Sequence, residues 1–405
     1  MQNYKINGGC MEIRIVKSQK GSSYLPLGQD RFLCISDGEK RLGEYLSKRF
    51  EVYDIVQNQK EEIAPNIVKY SIWDIRVLQP SEGCCYFTSC HMIEKDLIKV
   101  ELYRYQDQTK AVELLYEDKE NMLLYSSHKK TVVFLLNENY LLVQYMYVKS
   151  NETESYSGFL DFELKLYSVE EKKAIPVTDV WFSQAGIEQM QMVTKNVCAV
   201  KTGVNLLEEN RYQLLAEREV YPERIGFLNI QQMISDILLK QKTVYMDVIE
   251  ETRWDKTLVH MHVEDEVLMY SKVFLQEEKE EVVFYHYKEK KAEICEKAGI
   301  TAAEQAADTF VIRSVPYIRR DTEDGSSFYN IRKRCGEFSF EKEQQIFQID
   351  RGIAVVEEVQ KKMLFGKGKC WCEVYLLPGK ERVLREKGKV YAVVFEEEGL
   401  CLFVE

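Results

Sequence analysis

The chain of 405 residues has little of several things. With only seven prolines and 20 glycines it is neither collagen-like nor linker-rich. Five scattered histidines give no legible Ser-His-Asp constellation. No G-x-S-x-G elbow and no G-x-x-x-x-G-K-[ST] loop occurs, and GKGK at 366–369 precedes a strand pattern, not a helix. No run approaches the roughly 18 apolar residues of a membrane span. The opening MQNYKINGGCMEIRIVKSQK carries no apolar core of signal-peptide type.

Positive charge is also in deficit. Lys and Arg number 55 against 66 Asp and Glu, a formal net charge of −11. Such a chain repels nucleic-acid phosphates and anionic lipid, so the expected partners include no nucleic acid and no membrane. The eleven cysteines are odd in number and scattered. Without a secretory leader they read as free thiols in a reducing, cytoplasmic setting. GCCYFTSCH at 83–91 and KCWC at 369–372 lack the paired spacing of zinc sites, so their cysteines read as small buried hydrophobes.

What the chain has is apolar and aromatic residues, at 45% and 12%, with 25 Tyr and 18 Phe. Large flat side chains favour strands. FELKLYSVEEKKAIPVTD at 162–179 alternates with period two, so Phe162, Leu164 and Leu166 share a face. A polar turn and a short return strand follow. Pro176, lacking a backbone donor, places that return strand at a sheet edge.

The pattern recurs at 50–65, 100–117, 282–297 and 372–387. Its markers Tyr53, Tyr103, Tyr167, Tyr285 and Tyr375 are separated by 50, 64, 118 and 90 residues. The last two gaps read as double steps, with missing hairpins near Tyr221–Asn229 and Phe328–Phe340. FYNIRKRCGEFSFEKE fills the second, while the first fits poorly. Two strands ahead of each hairpin complete a four-stranded unit of the repeat length that propellers use.

The fold expected is therefore all-β: a β-propeller of about seven four-stranded blades with small helical insertions, spanning residues 11–405 after a flexible tail of residues 1–10. The rival is a pair of β-rich domains split near residues 229–242. The hairpins resemble the outer hairpins of bacterial TolB-like β-propeller repeat proteins, where tyrosine, a short turn, an apolar return and Thr-Asp follow in order. The resemblance covers the five hairpins alone. It departs from that family in lacking the Ser-Pro-Asp-Gly turn, and it implies architecture but no particular partner.

Helical signal is small. NIQQMISDILLKQK at 229–242 puts Ile230, Met233, Ile234, Ile237 and Leu238 on one face behind an Asn229 cap. Thr301 and Glu304 have capping-box spacing. MEIRIVK at 11–17 alternates and is expected to pair with the strands near 389–405, removing two exposed edges.

His260, His262 and Glu266 resemble the first motif of cupins, but neither its preceding glycine nor its second motif is present. On one strand, residues four apart lie about 13 Å apart, too far for one ion. The expectation is no metal, no cofactor and no catalytic residue.

One segment departs from the acidic background. Between 312 and 335, Arg313, Arg319, Arg320, Arg332, Lys333 and Arg334 face only Asp321, Glu323 and Asp324. A turn at EDGSS is expected to bring Arg319 and Arg320 near Arg332, Lys333 and Arg334, with Tyr317 and Tyr329 close by. Guanidinium clusters suit carboxylates and phosphates. The function expected is a non-catalytic, cytoplasmic propeller scaffold binding another protein or an anionic ligand through these five cations. The alternative is a hydrolase, for example glycoside-directed, with acidic residues on the propeller axis.

Overall fold

The computed structural model describes residues 2–5, 12–18, 21–28, 30–43, 45–95, 97–121, 129–149, 159–179, 182, 185–203, 223–252, 255–274, 277, 279–296, 309–312, 315–360, 369–396 and 399–405. Its structure is all-β and built mostly of four-stranded, mainly antiparallel sheets, the β-propeller architecture. The chain divides into two compact units, 1–69 with 307–405, and 70–306. Neither boundary falls at 229–242, which lies inside the second unit.

In the first unit, sheet A has the order Gln2–Lys5, Glu12–Lys17, Gly399–Val404, Val390–Glu396. Thus Gln2–Lys5, expected to be part of a tail, is a strand paired antiparallel with Glu12–Lys17. Glu12–Lys17 runs parallel to Gly399–Val404, with Ile13 opposite Leu400 and Val16 opposite Phe403, the pairing expected from the alternation. Gly399 is required by close approach: a Cβ there would overlap the Glu12 carbonyl oxygen.

Sheet B holds Ser23–Gly28, Arg31–Leu42, Tyr45–Asp54 and Gln59–Glu62. Sheet C holds Thr309–Ile312, Val315–Thr322, Gly325–Asn330 and Cys335–Glu341. Sheet D holds Gln344–Asp350, Ile353–Gln360, Lys369–Leu376 and Glu381–Lys387.

These sheets bury both faces, which explains their near-continuous apolar strands. In Ile353–Gln360, Ile353 and Val355 pack with Ile13, Leu400 and Leu402 of sheet A. The alternate residues Ala354 and Val356 pack with Phe328, Phe338 and Phe340 of sheet C. On the other side of sheet A, Cys401 and Phe403 meet Tyr24, Phe32 and Tyr53 of sheet B. The Phe403 ring stacks on Tyr24 at 3.7 Å between centroids. Each fully buried Val, Leu, Ile or Phe among these contributes about 1.5–3 kcal/mol.

In the second unit, sheet E contains Cys84–Glu94, Leu97–Gln106 and Ala111–Asn121. Sheet F contains Asp74–Val77, Lys129–Leu135, Tyr140–Lys149, Phe159–Ser168 and Lys173–Pro176. Sheet G contains Ile187–Met192, Val197–Thr202, Arg224–Asn229 and Asp247–Glu251. Sheet H contains Lys256–Glu264, Val267–Phe274, Lys279–His286 and Lys291–Glu296. Alternation again serves two neighbours: Cys198 and Val200 pack with Leu142, Leu164 and Leu166 of sheet F, while Ala199 packs with Leu258 and Leu268 of sheet H.

All five repeated hairpins are the last two strands of their sheets, and Lys173–Pro176 is an edge strand as Pro176 requires. Gly325–Asn330 with Cys335–Glu341 supplies the hairpin expected near 328–340. The poor gap near 221–229 has a structural cause. In sheet G the last two strands are separated by helix α1, Ile230–Leu238, instead of a tight turn.

Asn229 caps α1, its Oδ1 accepting from the Gln232 amide at 3.1 Å. Ile230, Met233, Ile234 and Ile237 sink into the core between sheets F and G. Leu238, expected on that face, is exposed because the helix ends there. The Thr301–Glu304 capping pair lies outside the described residues, and Thr309–Ile312 is a strand.

Candidate functional site

The basic hairpin forms as expected around a turn at Glu323–Asp324. Its register pairs Arg319 with Phe328 and Arg320 with Ser327. Arg332, Lys333 and Arg334 instead occupy the next turn, after Ile331, whose amide donates to the Pro316 carbonyl at 3.1 Å. At ~3.3 Å per residue Ser327, opposite Arg320, lies roughly 10 Å along the strand from Asn330, and the turn bearing the second group begins beyond it. The expected juxtaposition is therefore corrected: Arg319 and Arg320 stand beside the middle of Gly325–Asn330, whereas Arg332–Arg334 fall beyond its last paired residue. Arg313 lies outside the described residues.

The local acids take part of the charge. Arg319 Nε lies 2.7 Å from Asp321 Oδ1. Burial pushes the Asp321 carboxyl up, but the Ser326 hydroxyl and Arg319 outweigh it and hold the group below its usual range. Lys333 Nζ lies 2.5 Å from Glu337 Oε1. Glu337 also accepts from Asn330 at 2.7 Å and Tyr317 at 2.5 Å. These donors, Asn330 first, bring its pKa down to about 2.

Arg320 differs. Its guanidinium lies over the Tyr329 ring, 4.9 Å from the centroid, on the exposed face, and has no carboxylate partner among the described residues. Arg332 and Arg334 are also exposed.

The histidine motif is an amphipathic strand. A bulge sits between Val259 and His262, with His260 at φ 56°. Val259 and Met261 are buried, and both histidines are exposed. Glu266 turns to Lys288, 2.7 Å away. Among the described residues no three His, Cys, Asp or Glu side chains stand together as a ligand set.

Two buried carboxylates serve the fold. Glu120 accepts from Trp73 Nε1 at 2.8 Å and from Thr131. Glu373, wholly buried, accepts from Tyr375 at 2.6 Å, Arg382 at 2.9 Å and Gln344 at 3.1 Å.

Sequence reasoning missed a second surface. Between α1 and the returning segment 241–246 lies an open cleft of about 920 Å³. Gln231, Gln232, Ser235 and Asp236 line it from the helix, and Gln241, Thr243, Val244, Tyr245 and Met246 from the strap. The strap is fixed by Gln241 N to Asp236 O at 2.9 Å, Val244 N to Asp179 Oδ2 at 2.7 Å and Tyr245 N to Asp236 Oδ2 at 3.2 Å. The signal was present in the amide- and hydroxyl-rich polar face of the helix, QQ and S at 231, 232 and 235.

Comparison with protein-family models and with curated protein sequences finds no match. Solved structures do match. Porphyromonas gingivalis dipeptidyl peptidase 4 superimposes with a TM-score of 0.51 at 10% identity, over 89% of this chain and 52% of that one. The chain thus spans about half the length of that peptidase, and the likeness concerns the fold alone. The β-propeller domain of the trilobed protease from Pyrococcus furiosus gives a TM-score of 0.43 at 10% identity, over 91% of this chain and 98% of that one. Among the described residues no helix is long and apolar enough to cross a membrane, which says nothing of a β-barrel.

Proposed function

We propose that this propeller is a non-catalytic binding module whose basic hairpin meets an acidic stretch of a protein partner. The carrying observation is Arg320, exposed, held over Tyr329 at 4.9 Å and without a carboxylate of its own among the described residues. Arginine and tyrosine are both enriched where protein surfaces bind.

The separation of Arg320 from Arg332, Lys333 and Arg334 favours a protein over a small anion. Two cationic points separated by roughly 10 Å of strand and the start of a turn cannot close on one carboxylate or phosphate, but they match two acidic positions on an extended surface. The binding site comprises Arg320 and the Arg332–Arg334 turn, with Arg319 tied to Asp321 as its support. The peptidase activity named for the structural neighbour is not carried over, because the chain lacks a G-x-S-x-G elbow.

The test is charge reversal. Arg320→Glu with Arg334→Glu is expected to lower partner capture in a salt-dependent pull-down while leaving the melting temperature nearly unchanged. Loss of stability, or capture indifferent to both substitutions and to salt, overturns the reading.

A further inference from the structure

The cleft beside α1 is the other feature that the sheet pattern does not require. Every other described last hairpin is closed by a short turn, whereas sheet G spends 17 residues, 230–246, between its last two strands. An insertion that buries only its inner face adds a surface as well as a core, and its outward face is what needs explaining.

The chemistry of that face is specific. Its single charged lining residue, Asp236, is spent: Oδ1 accepts from Gln232 Nε2 at 2.6 Å and Oδ2 from the Tyr245 amide. Asn229 is spent as the helix cap. The side chains of Gln231, Ser235, Gln241 and Thr243 are exposed and make no hydrogen bond among the described residues. Tyr245 is 70% exposed, leaving its ring open. The cleft therefore offers amides and hydroxyls that both donate and accept, one aromatic platform and no free charge.

We infer that the cleft binds a neutral carbohydrate. Sugar hydroxyls each donate one hydrogen bond and accept others, which side-chain amides and hydroxyls match. The apolar C–H face of a pyranose packs on an aromatic ring, the amphipathic role that tyrosine fills. A volume of about 920 Å³ accommodates an oligosaccharide of a few residues. Among the lining residues no free charge answers a phosphate, carboxylate or ammonium group. A peptide is the poorer fit, since the lining provides neither deep apolar side-chain pockets nor a run of open strand backbone.

The experiment titrates the full chain with maltotriose, cellotriose and triacetylchitotriose by calorimetry, and with a neutral peptide of glycine, serine and alanine as comparator. Saturable binding of at least one saccharide is expected. Tyr245→Ala should weaken it about tenfold, Tyr245→Phe should retain most of it, and Gln231→Ala with Thr243→Ala should weaken it again. Unchanged circular dichroism shows that each variant folds. No saturable saccharide signal at millimolar concentration, equal affinity in Tyr245→Ala, or binding of the peptide in place of the sugars overturns the inference.

Discussion

Lys201 Nζ and Glu223 Oε1 lie 3.2 Å apart, each side chain about 1% exposed. Glu223 Oε1 is in ion-pair range without an aligned hydrogen bond, whereas Oε2 accepts from Thr257 Oγ1 and the Leu258 amide, both at 2.8 Å. The carboxylate thus joins sheet G to sheet H. Glu188, half-exposed, is the second anion on Lys201.

Removing one partner strands the other. Lys201→Met is expected to cost about 3–5 kcal/mol in urea unfolding, and adding Glu223→Gln, which removes the stranded charge but keeps an acceptor for Thr257 and the Leu258 amide, to recover most of it. Burial already raises the Glu223 carboxyl, with Lys201 opposing. Without Lys201 it rises further, so the folded protein holds that proton more tightly than the unfolded chain. Stability is then lost as pH climbs above the ordinary value of 4.5. The Lys201→Met deficit should be larger at neutral than at acidic pH; a deficit that is small or flat with pH counts against a buried pair.

Glu337 gives the opposite sign. Its pKa of about 2, against 4.5 ordinarily, means that its contribution is complete above 4.5 and lost as pH falls towards 2. Glu337→Gln should flatten the acid-unfolding curve across that window, and carboxyl NMR should find Glu337 still ionised where exposed glutamates have protonated. Titration near 4.5 would show that Asn330, Lys333 and Tyr317 do not hold it in solution.

The thiols should separate by burial. Cys90, Cys198 and Cys372 are buried, which pushes each pKa up to about 12, while Cys335 is exposed. A thiol reagent followed by peptide mapping should label Cys335 in the native protein and the other three only after unfolding. Native labelling of Cys372 at the rate of Cys335 would contradict the packing of sheet D on sheet A.

The sheets were legible where one strand faced water and its partner returned through a polar turn, as at Leu166 opposite Ile175. Period two and a terminal aromatic suffice there. Sheet G was illegible as a hairpin because α1 interrupts it, although the helix and its Asn229 cap could be read from local spacing. For the basic hairpin the turn was legible and the register was not. A strand pattern tells which residues share a face, but pairing is set by where the turn falls, and that put Arg320 beside Ser327 and away from Arg334. The Tyr245 cleft depends on backbone contacts to Asp179 and Asp236, which no local pattern announces.

The parallel pairing of Glu12–Lys17 with Gly399–Val404 also sets a timetable. During synthesis the early strand emerges with its ladder half empty and waits for all the intervening sheets before its partner leaves the ribosome. Closing so long a loop is slow, and until then Ile13 and Ile15 lack the side of their core that Leu400 and Leu402 provide. The antiparallel Gln2–Lys5 strand can cover one edge of that waiting segment from the start. The order of birth along the chain thus makes this seam form after the sheets between its strands, and a point at which an unfinished molecule is vulnerable to chaperones, proteases and its own neighbours.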